Sequence, residues 1–231
     1  MRFLAVIIVS YLAAVAAMTT TGRGYSFVRQ SLNVAALRQL GRTFREPSLL
    51  LPRISVKSAS DLDMRRLREE HGIRCIVFDK DQTLSLTYVD SLHSTAVRAV
   101  ESSKLEFGPS GVAILSNSVG SSDDEGYQSA AETEEKMQLA VIRHARKKPD
   151  CLDEVLTHFA SRLGTNIKAH EIAVVGDRVL TDVLFANLNG MLSVLVAPIS
   201  IRTDHPIAVL IRGFERRVIL PLLRLIGVTA K

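Results

Sequence analysis

The chain has 231 residues and a formal net charge of +5, and it contains no tryptophan. This length suits one α/β domain with extensions. Positive charge is concentrated at the two ends: residues 1–45 contribute +6, residues 205–231 contribute +4, and the part between them carries −5. Because nucleic-acid-binding domains need a basic stripe with stacking aromatic side chains, we exclude nucleic acid as a partner.

Residues 1–30 have the composition of a targeting or membrane-anchoring segment. Residues 3–18 carry no charge; they are short for a membrane span but long enough for the core of a signal peptide. Arginine, serine and threonine follow, with no acid before Glu46, which is typical of organellar import. We expect mitochondrial import with a membrane-proximal or anchored N-terminus. The alternative is another organelle or a secretory-pathway membrane.

The first candidate site residues follow a predicted strand at residues 73–78. This apolar run has the composition of a strand that is buried on both faces of a parallel sheet. Asp79 and Asp81 come at its carboxyl end, where open α/β sheets place their ligands. Two close carboxylates are costly to bury unless a cation offsets their charge. The pattern indicates a metal-dependent active site, although acids also commonly open the loop after a strand.

A second predicted strand, residues 111–115, is followed by Ser116 and Asn117. A serine hydroxyl and the adjacent backbone N–H groups can hold a phosphoryl oxygen. The alternative is an ordinary turn that ends the strand.

Two lysines, ending in Lys148, precede Pro149, where we predict the start of a helix. A lysine that points into the site would neutralise phosphate charge and keep a carboxylate nucleophile ionised. The alternative is a solvated surface position.

A further predicted strand, residues 172–175, is followed by Gly176, Asp177 and Asp182. Glycine lets the backbone approach a metal site closely. Asp177 can supply a hard oxygen ligand, and Asp182 would lie beside it on the first turn of a helix. The alternative is that these acids only cap the helix start.

Near the C-terminus, residues 207–228 alternate apolar side chains with arginines and are interrupted by Pro221. The pattern is that of a basic amphipathic helix that could lie on an anionic bilayer. The alternative is a helix packed on the sheet with its arginines exposed. The arginines of residues 207–228 are Arg212, Arg216, Arg217 and Arg224. Residues 35–44 allow the same two interpretations.

Taken together, the strand-end motifs resemble the haloacid dehalogenase superfamily of aspartyl phosphatases. More narrowly, the chain resembles the mitochondrial phosphatidylglycerophosphate phosphatases within it, from about residue 33 to residue 198. Gln82 departs from the pattern, which has Asn or another small residue there, and we expect this to affect loop geometry more than chemistry. The segments that carry the resemblance are EPSLLLPRISVKSASDLD (46–63), GIRCIVFDKDQTL (72–84), ILSNSVG (114–120), VIRHARKKPD (141–150) and VVGDRVLTDVLFANLNG (174–190).

The resemblance implies a role for each carboxylate. Asp79 is expected to be the nucleophile that forms an aspartyl-phosphate. Asp81 is expected to protonate the leaving alkoxide as general acid and then to activate water as base. Mg2+ is expected on the Asp79 carboxylate, the Asp81 backbone carbonyl and Asp177. Asp182 would steady this shell from outside.

The resemblance also implies which residues bind the phosphate group. Ser116 and Lys148 are expected to surround the phosphoryl oxygens, where positioning and charge neutralisation do most of the catalysis. Asn117 and Thr83 belong to the same expected substrate-binding set, with Thr83 acting as a loop-stabilising hydroxyl rather than as a reactant.

The spacing of the motifs predicts an enzyme without a lid domain. Only 32 residues separate Thr83 from Ser116, and the interval from Ser116 to Lys148 is similarly short. Phosphatases of small metabolites usually need a closing element to exclude water. An open face instead suits a phosphate that is presented on something large, either a protein or a lipid in a bilayer.

We therefore expect a capless, Rossmann-like three-layer α/β/α sandwich at residues 31–204, between an N-terminal segment (1–30) and a basic C-terminal helix (205–231). The strand-end residues predict an Mg2+-dependent aspartyl phosphatase, and the resemblance implies its substrate, phosphatidylglycerophosphate, which would be hydrolysed to phosphatidylglycerol in cardiolipin biosynthesis. The expected place is the matrix face of the mitochondrial inner membrane, with a phospholipid and the membrane surface as partners. The alternatives are a phosphatase for phosphoproteins or small phosphate esters, and a catalytically silent membrane scaffold.

Overall fold

Six parallel strands form one sheet in the computed structural model, which describes residues 39, 41–43, 45–200, 202, 204 and 206–230. Their order across the sheet is β1-β6-β5-β2-β3-β4, so β2 lies between β5 and β3. Because the strands are parallel, the residues that follow β2, β3 and β5 meet at one edge of the sheet. The strands are β1 (Ile54–Val56), β2 (Cys75–Phe78), β3 (Val112–Ile114), β4 (Ala140–Val141), β5 (Ile172–Gly176) and β6 (Leu192–Val196).

Helices connect the strands and cover the sheet. Two π-helical segments continue directly into neighbouring helices: Val179–Val183 precedes α5, and Glu215–Ile219 joins α6 to α7. None of the helices in the described ranges is long and apolar enough to span a bilayer. The helices are α1 (Met64–His71), α2 (Ser94–Phe107), α3 (Gln128–Met137), α4 (Leu152–Leu163), α5 (Leu184–Leu188), α6 (Pro206–Phe214) and α7 (Leu220–Leu225).

The core lies on both faces of the sheet. Side chains alternate along a strand, so Ile76 and Phe78 of β2 join a cluster that contains residues of α1, α2 and α3. Cys75 and Val77 join the opposite cluster, with residues of α4 and α5. All four side chains of β2 are fully buried. The predicted three-layer α/β/α class, with a strand buried on both faces, is confirmed.

The local predictions hold for the strands but not for the helix expected at Pro149. Lys147 to Asp150 form a turn, in which Asp150 N–H donates to the Lys147 carbonyl at 2.9 Å, and the helix begins only at Leu152.

Residues 83–148 are all described, and they contain no inserted lid domain, as the spacing predicted. The expected N-terminal segment, residues 1–30, lies outside the described residues, as does most of 35–44.

The C-terminal helices pack onto the domain. Ile211, Ile219 and Leu223 are buried in a third cluster that includes residues of the Val179–Val183 segment and of β6. The alternative interpretation, a packed helix with its arginines exposed, holds for the packing but not for every arginine. Arg212 is buried and its guanidinium pairs with buried Asp177, and Arg216 is half-buried.

Glu215 ties this segment to the loop after β5. Its carboxylate is fully buried and accepts hydrogen bonds from the backbone N–H of Val179 (2.8 Å) and Leu180 (3.4 Å). These amides belong to the start of the helical segment Val179–Val183, where N–H groups have no partner within the helix.

We expect Glu215→Ala to lower the free energy of unfolding by about 1–3 kcal/mol, since it leaves buried N–H groups unpaired. Chemical denaturation measures this change. Glu69→Ala is the control, because Glu69 forms an exposed ion pair with Arg65 on α1, and its loss should change stability by less than about 1 kcal/mol. Equal effects of the two substitutions would contradict the structural role of Glu215.

Candidate active site

A cavity of about 370 Å3 opens at the carboxyl edge of the sheet, where the predicted motifs converge. The loops after β2, β3 and β5 line it, together with the segment around Lys148 and helix α6. Its lining is rich in charge of both signs. The charged lining residues are Asp79, Lys80, Asp81, Asp90, Lys148, Arg178, Asp204 and Arg212.

At the centre of the site, Lys148 joins two carboxylates. Its Nζ lies 2.6 Å from Asp79 Oδ1 and 2.5 Å from Asp182 Oδ1. Lys148 is buried, so the alternative of a solvated surface lysine does not hold. Burial alone would lower the pKa of Lys148, but Asp182 and Asp79 raise it above its ordinary value. The lysine is therefore held as a cation between the two acids.

Asp79 lies directly after β2, and its side chain is only 12% exposed. The pKa of Asp79 is raised to about 7: burial makes the largest contribution, Asp182 and Asp177 also raise the pKa, and Lys148 acts to lower it. One lysine therefore does not fully offset the negative charge around Asp79, and a further cation would favour its ionised form.

Asp177 completes a cluster of oxygen donors. Asp79, Asp177 and Asp182 each place one carboxylate oxygen within 4.8 Å of the others. The side chain of Arg212 pairs through Nε with Asp177 Oδ2. Asp177 Oδ1 is buried, and no residue in the described part of the chain donates a hydrogen bond to it. A buried carboxylate oxygen without a donor fits a metal ligand.

The charge and chemistry of the cluster fit a hard divalent cation. The cavity lining has four acids and four bases, and buried Asp177 and Asp182 bring the formal charge to −2. Carboxylate oxygens are the ligands that Mg2+ takes in proteins.

Asp81 lies in the cavity but outside this three-carboxylate cluster. Its Oδ1 is 3.2 Å from Lys80 Nζ, and its Oδ2 accepts a hydrogen bond from Ser118 Oγ at 3.4 Å. Lys80 is itself buried and also pairs with Asp90 at 3.1 Å. The Asp81 carboxylate is therefore held at the cavity wall, apart from the oxygens that can bind metal.

Ser116 and Asn117 also reach the cavity. Asn117 Oδ1 accepts a hydrogen bond from the backbone N–H of Lys148 at 3.0 Å, which positions the lysine. The Ser116 hydroxyl lies 3.0 Å from Ser118 Oγ. Thr83, in contrast, is buried and does not line the cavity. The structure brings together all the predicted site residues except Thr83, which lies buried within the loop after β2.

Gln82, which departs from the family pattern, organises this loop. Its backbone adopts φ +65°, in the left-handed region. Its side chain donates from Nε2 to Thr87 Oγ1 (2.9 Å) and accepts through Oε1 from the backbone N–H of Ser200 (2.8 Å). Gln82 therefore joins the loop after β2 to the segment after β6, which agrees with an effect on loop geometry.

Two contributions escaped the sequence analysis. Arg212 enters the site from α6, and only its place in an amphipathic pattern had drawn attention to it. His144 bridges two loops, since its ring nitrogens lie 2.8 Å from the Ser116 carbonyl and 2.7 Å from the Arg146 carbonyl. Burial lowers the pKa of His144. The segment that suggested the family contains His144, but its structural role was not foreseen.

Comparison with known proteins gives the same family as the resemblance in the sequence motifs. A family model described as mitochondrial PGP phosphatase matches residues 34–199. A Saccharomyces cerevisiae protein named as a mitochondrial phosphatidylglycerophosphatase is 32% identical over 166 residues, which cover 71% of this chain and 87% of that protein.

Plant and fission-yeast proteins give the same result. The Arabidopsis thaliana protein named phosphatidylglycerophosphate phosphatase 1 is 34% identical over 167 residues, 71% of this chain and 45% of its own length. The Schizosaccharomyces pombe protein named as a probable mitochondrial phosphatidylglycerophosphatase is 26% identical over 69% of this chain and 79% of its own length. No solved structure matches the chain significantly.

Gly176 tests how tightly this site is packed. A Cβ atom at Gly176 would lie 2.6 Å from Asp182 Cβ, well inside van der Waals contact. We expect Gly176→Ala to displace Asp182 and to lower the free energy of unfolding by about 1–3 kcal/mol through overpacking.

Gly213→Ala is the matched control, since Gly213 lies in α6 with no atom within 4 Å of its added Cβ. It should raise the free energy of unfolding by about 0.5–1 kcal/mol. Urea denaturation measures both values, and a neutral Gly176→Ala would contradict the close approach of Asp182.

Proposed function

Because the chain belongs to the mitochondrial PGP phosphatase family, we propose that it hydrolyses phosphatidylglycerophosphate to phosphatidylglycerol and inorganic phosphate. The observation that carries this proposal is the cluster of Asp79, Asp177 and Asp182 at the carboxyl edge of the sheet, in which Lys148 pairs with Asp79 and Asp182. It combines a carboxylate nucleophile, a fixed cation and oxygen donors for a metal in one cavity.

In the first step, Asp79 attacks the terminal phosphorus. A bond forms between its carboxylate oxygen and phosphorus as the bond to the glycerol oxygen breaks, which gives an aspartyl-phosphate. Asp81, held at the cavity wall by Lys80 and Ser118, gives its proton to the leaving glycerol oxygen. Phosphatidylglycerol then leaves.

In the second step, water attacks the aspartyl-phosphate. Asp81, now ionised, takes the proton of that water. The bond between phosphorus and the Asp79 oxygen breaks, so inorganic phosphate leaves and the Asp79 carboxylate is restored. Lys148 and the Ser116 hydroxyl, which both face the cavity, would hold the phosphoryl oxygens in both steps.

We propose that the metal is Mg2+; Asp79 and Asp177 would hold it, together with the backbone carbonyl of Asp81 that the family resemblance implies. When bound, it supplies positive charge that offsets the charge of the phosphoryl oxygens and of the carboxylates. Both carboxylate oxygens of Asp182 already have donors, Oδ1 from Lys148 and Oδ2 from the backbone N–H of Arg178 at 3.2 Å, which suits a supporting role beside the metal ligands.

A lipid phosphate fits the form of the site. Residues 83–148 add no lid domain over the cavity. This part of the chain therefore has no element that closes over the substrate and excludes water. A bilayer can itself provide the large body on which the phosphate is presented. The matrix face of the mitochondrial inner membrane is the proposed location.

The outer face of helices α6 and α7 is the proposed membrane contact. Its exposed apolar side chains are Leu210, Val218, Leu225 and Ile226. Arg217 and Arg224 are exposed on the same segment, and neither forms a salt bridge with another described residue. Apolar groups mixed with cations suit an anionic bilayer surface.

We expect Asp79→Asn to abolish phosphate release from phosphatidylglycerophosphate, with a loss on the order of 1,000-fold or more because the nucleophile is removed. The assay uses the full chain in detergent micelles with Mg2+ and measures free phosphate. A phosphotyrosine peptide and an aryl phosphate serve as competing substrates.

Asp123→Asn is the control, since Asp123 is exposed, pairs with Lys147 and does not line the cavity; its activity should equal that of the wild type. Turnover of the peptide or the aryl phosphate with the lipid untouched would contradict the lipid substrate. Full activity of Asp79→Asn would contradict the aspartyl-phosphate mechanism.

We expect the double substitution Arg217→Gln, Arg224→Gln to weaken binding to anionic vesicles by about fivefold for each arginine, since each contributes about 1 kcal/mol at such a surface. Vesicle flotation measures this, and binding to neutral vesicles should change little. These changes leave the inward-facing residues in place, unlike removal of the whole C-terminal segment.

Leu225→Asp and Leu105→Asp test the apolar part of the same face. Both leucines are exposed, at 83% and 89%, but Leu105 lies on α2. Loss of vesicle binding in Leu225→Asp alone is the expected result. An equal loss in both variants would contradict the assigned face.

A further inference from the structure

We propose that Arg212 is a positioning residue for the metal site, which it reaches from beyond the residues that the family model matches. This inference rests on the proposed function, because it concerns the Mg2+ site assigned there. The family model ends at residue 199, so neither the motifs nor the family pattern led to Arg212.

Arg212 contacts only one of the two carboxylate oxygens of Asp177. Its Nε donates to Asp177 Oδ2, which leaves Oδ1 without a donor among the described residues. A carboxylate with one oxygen fixed by a guanidinium can present the other oxygen to a cation in one orientation. Arg212 would thereby favour single-oxygen coordination by Asp177 and hold the oxygen in place before the metal arrives.

The guanidinium is itself anchored at a second point. Its Nη1 forms an ion pair with Asp204 Oδ2, and Asp204 Oδ1 accepts a hydrogen bond from Thr87 Oγ1 at 3.2 Å. The planar fork of an arginine can contact both acids at once, which a lysine ammonium does with less directional control. Arg212 thus joins the metal site, the segment after β6 and the loop after β2.

Arg216 supports the same residue through the main chain. Its Nη2 donates to the Asp177 carbonyl at 2.9 Å and also to the Val196 carbonyl. Side chain and backbone of Asp177 are therefore both held by arginines one helical turn apart. Two contacts to one residue from a segment about 35 positions later restrict its orientation more than either contact alone.

The test measures Mg2+ binding without substrate. Full-length protein in detergent is titrated with Mg2+, and the shift of its melting temperature gives an apparent Kd. We expect Arg212→Lys to raise this Kd by about 10–100-fold, the usual effect of losing a residue that orients a metal ligand. At saturating Mg2+, phosphate release should recover toward the wild-type value.

Arg65→Lys is the matched control, because Arg65 also pairs with a carboxylate, Glu69, but at an exposed position on α1. Its apparent Kd for Mg2+ should equal that of the wild type. Asp204→Asn serves as a second variant if Arg212→Lys fails to fold, since it keeps Arg212 and Asp177 and removes only the second anchor. We expect it to raise the Kd by a smaller factor.

Folded Arg212→Lys and Asp204→Asn proteins with the wild-type Kd would overturn the inference, whatever their melting temperatures without metal. A wild type that Mg2+ does not stabilise would overturn both the inference and the proposed metal. Weaker Mg2+ binding by Arg212→Lys in a protein that leaves the lipid untouched would support the inference while contradicting the proposed substrate.

Discussion

Three carboxylates gathered within 4.8 Å of one another are the constraint on which the rest of this site depends. Burial and the neighbouring acids raise the pKa of Asp79 to about 7 and also raise the pKa of Asp177. The chain places two cations against them, Lys148 between Asp79 and Asp182 and Arg212 on Asp177. The remaining negative charge is what a divalent cation would offset. The surrounding loops can be understood as the means of holding these charges in place.

The topology of the sheet supplies the geometry for this cluster. Strands β2 and β5 are direct neighbours, with Phe78 opposite Val175, so the acids that follow each strand emerge side by side. Lys148 lies between β4 and α4, and Asn117, after β3, accepts a hydrogen bond from its backbone N–H. Parallel neighbours thus bring Asp79, Asp177 and Lys148 to one edge without any of them being adjacent in sequence.

The C-terminal segment has two distinct faces. Its inner face sends Arg212 and Glu215 to the loop after β5, and its outer face exposes apolar side chains and arginines. If the outer face contacts a bilayer as proposed, one helical segment links the membrane surface with the residue that presents Asp177. A change in the packing of this segment would then directly alter the proposed metal site, because the contacts between Arg212 and Asp177 are short-range and directional.

The sequence by itself predicted the fold class, strands at 73–78, 111–115 and 172–175, and a site that contains Asp79, Asp177, Asp182 and Lys148; the observed strands are 75–78, 112–114 and 172–176. The strands are local features, because a short apolar run followed by acids or glycine is typical of a strand in a parallel sheet. Each strand-end motif also allowed a purely structural interpretation, and only the order of the motifs along the chain favoured a site. The tertiary structure alone decided that Pro149 lies in a turn, that Thr83 stays out of the cavity, and that Arg212 turns inward. Helical periodicity separates apolar from polar positions, but it does not reveal which arginine will meet a buried carboxylate 35 residues earlier in the chain.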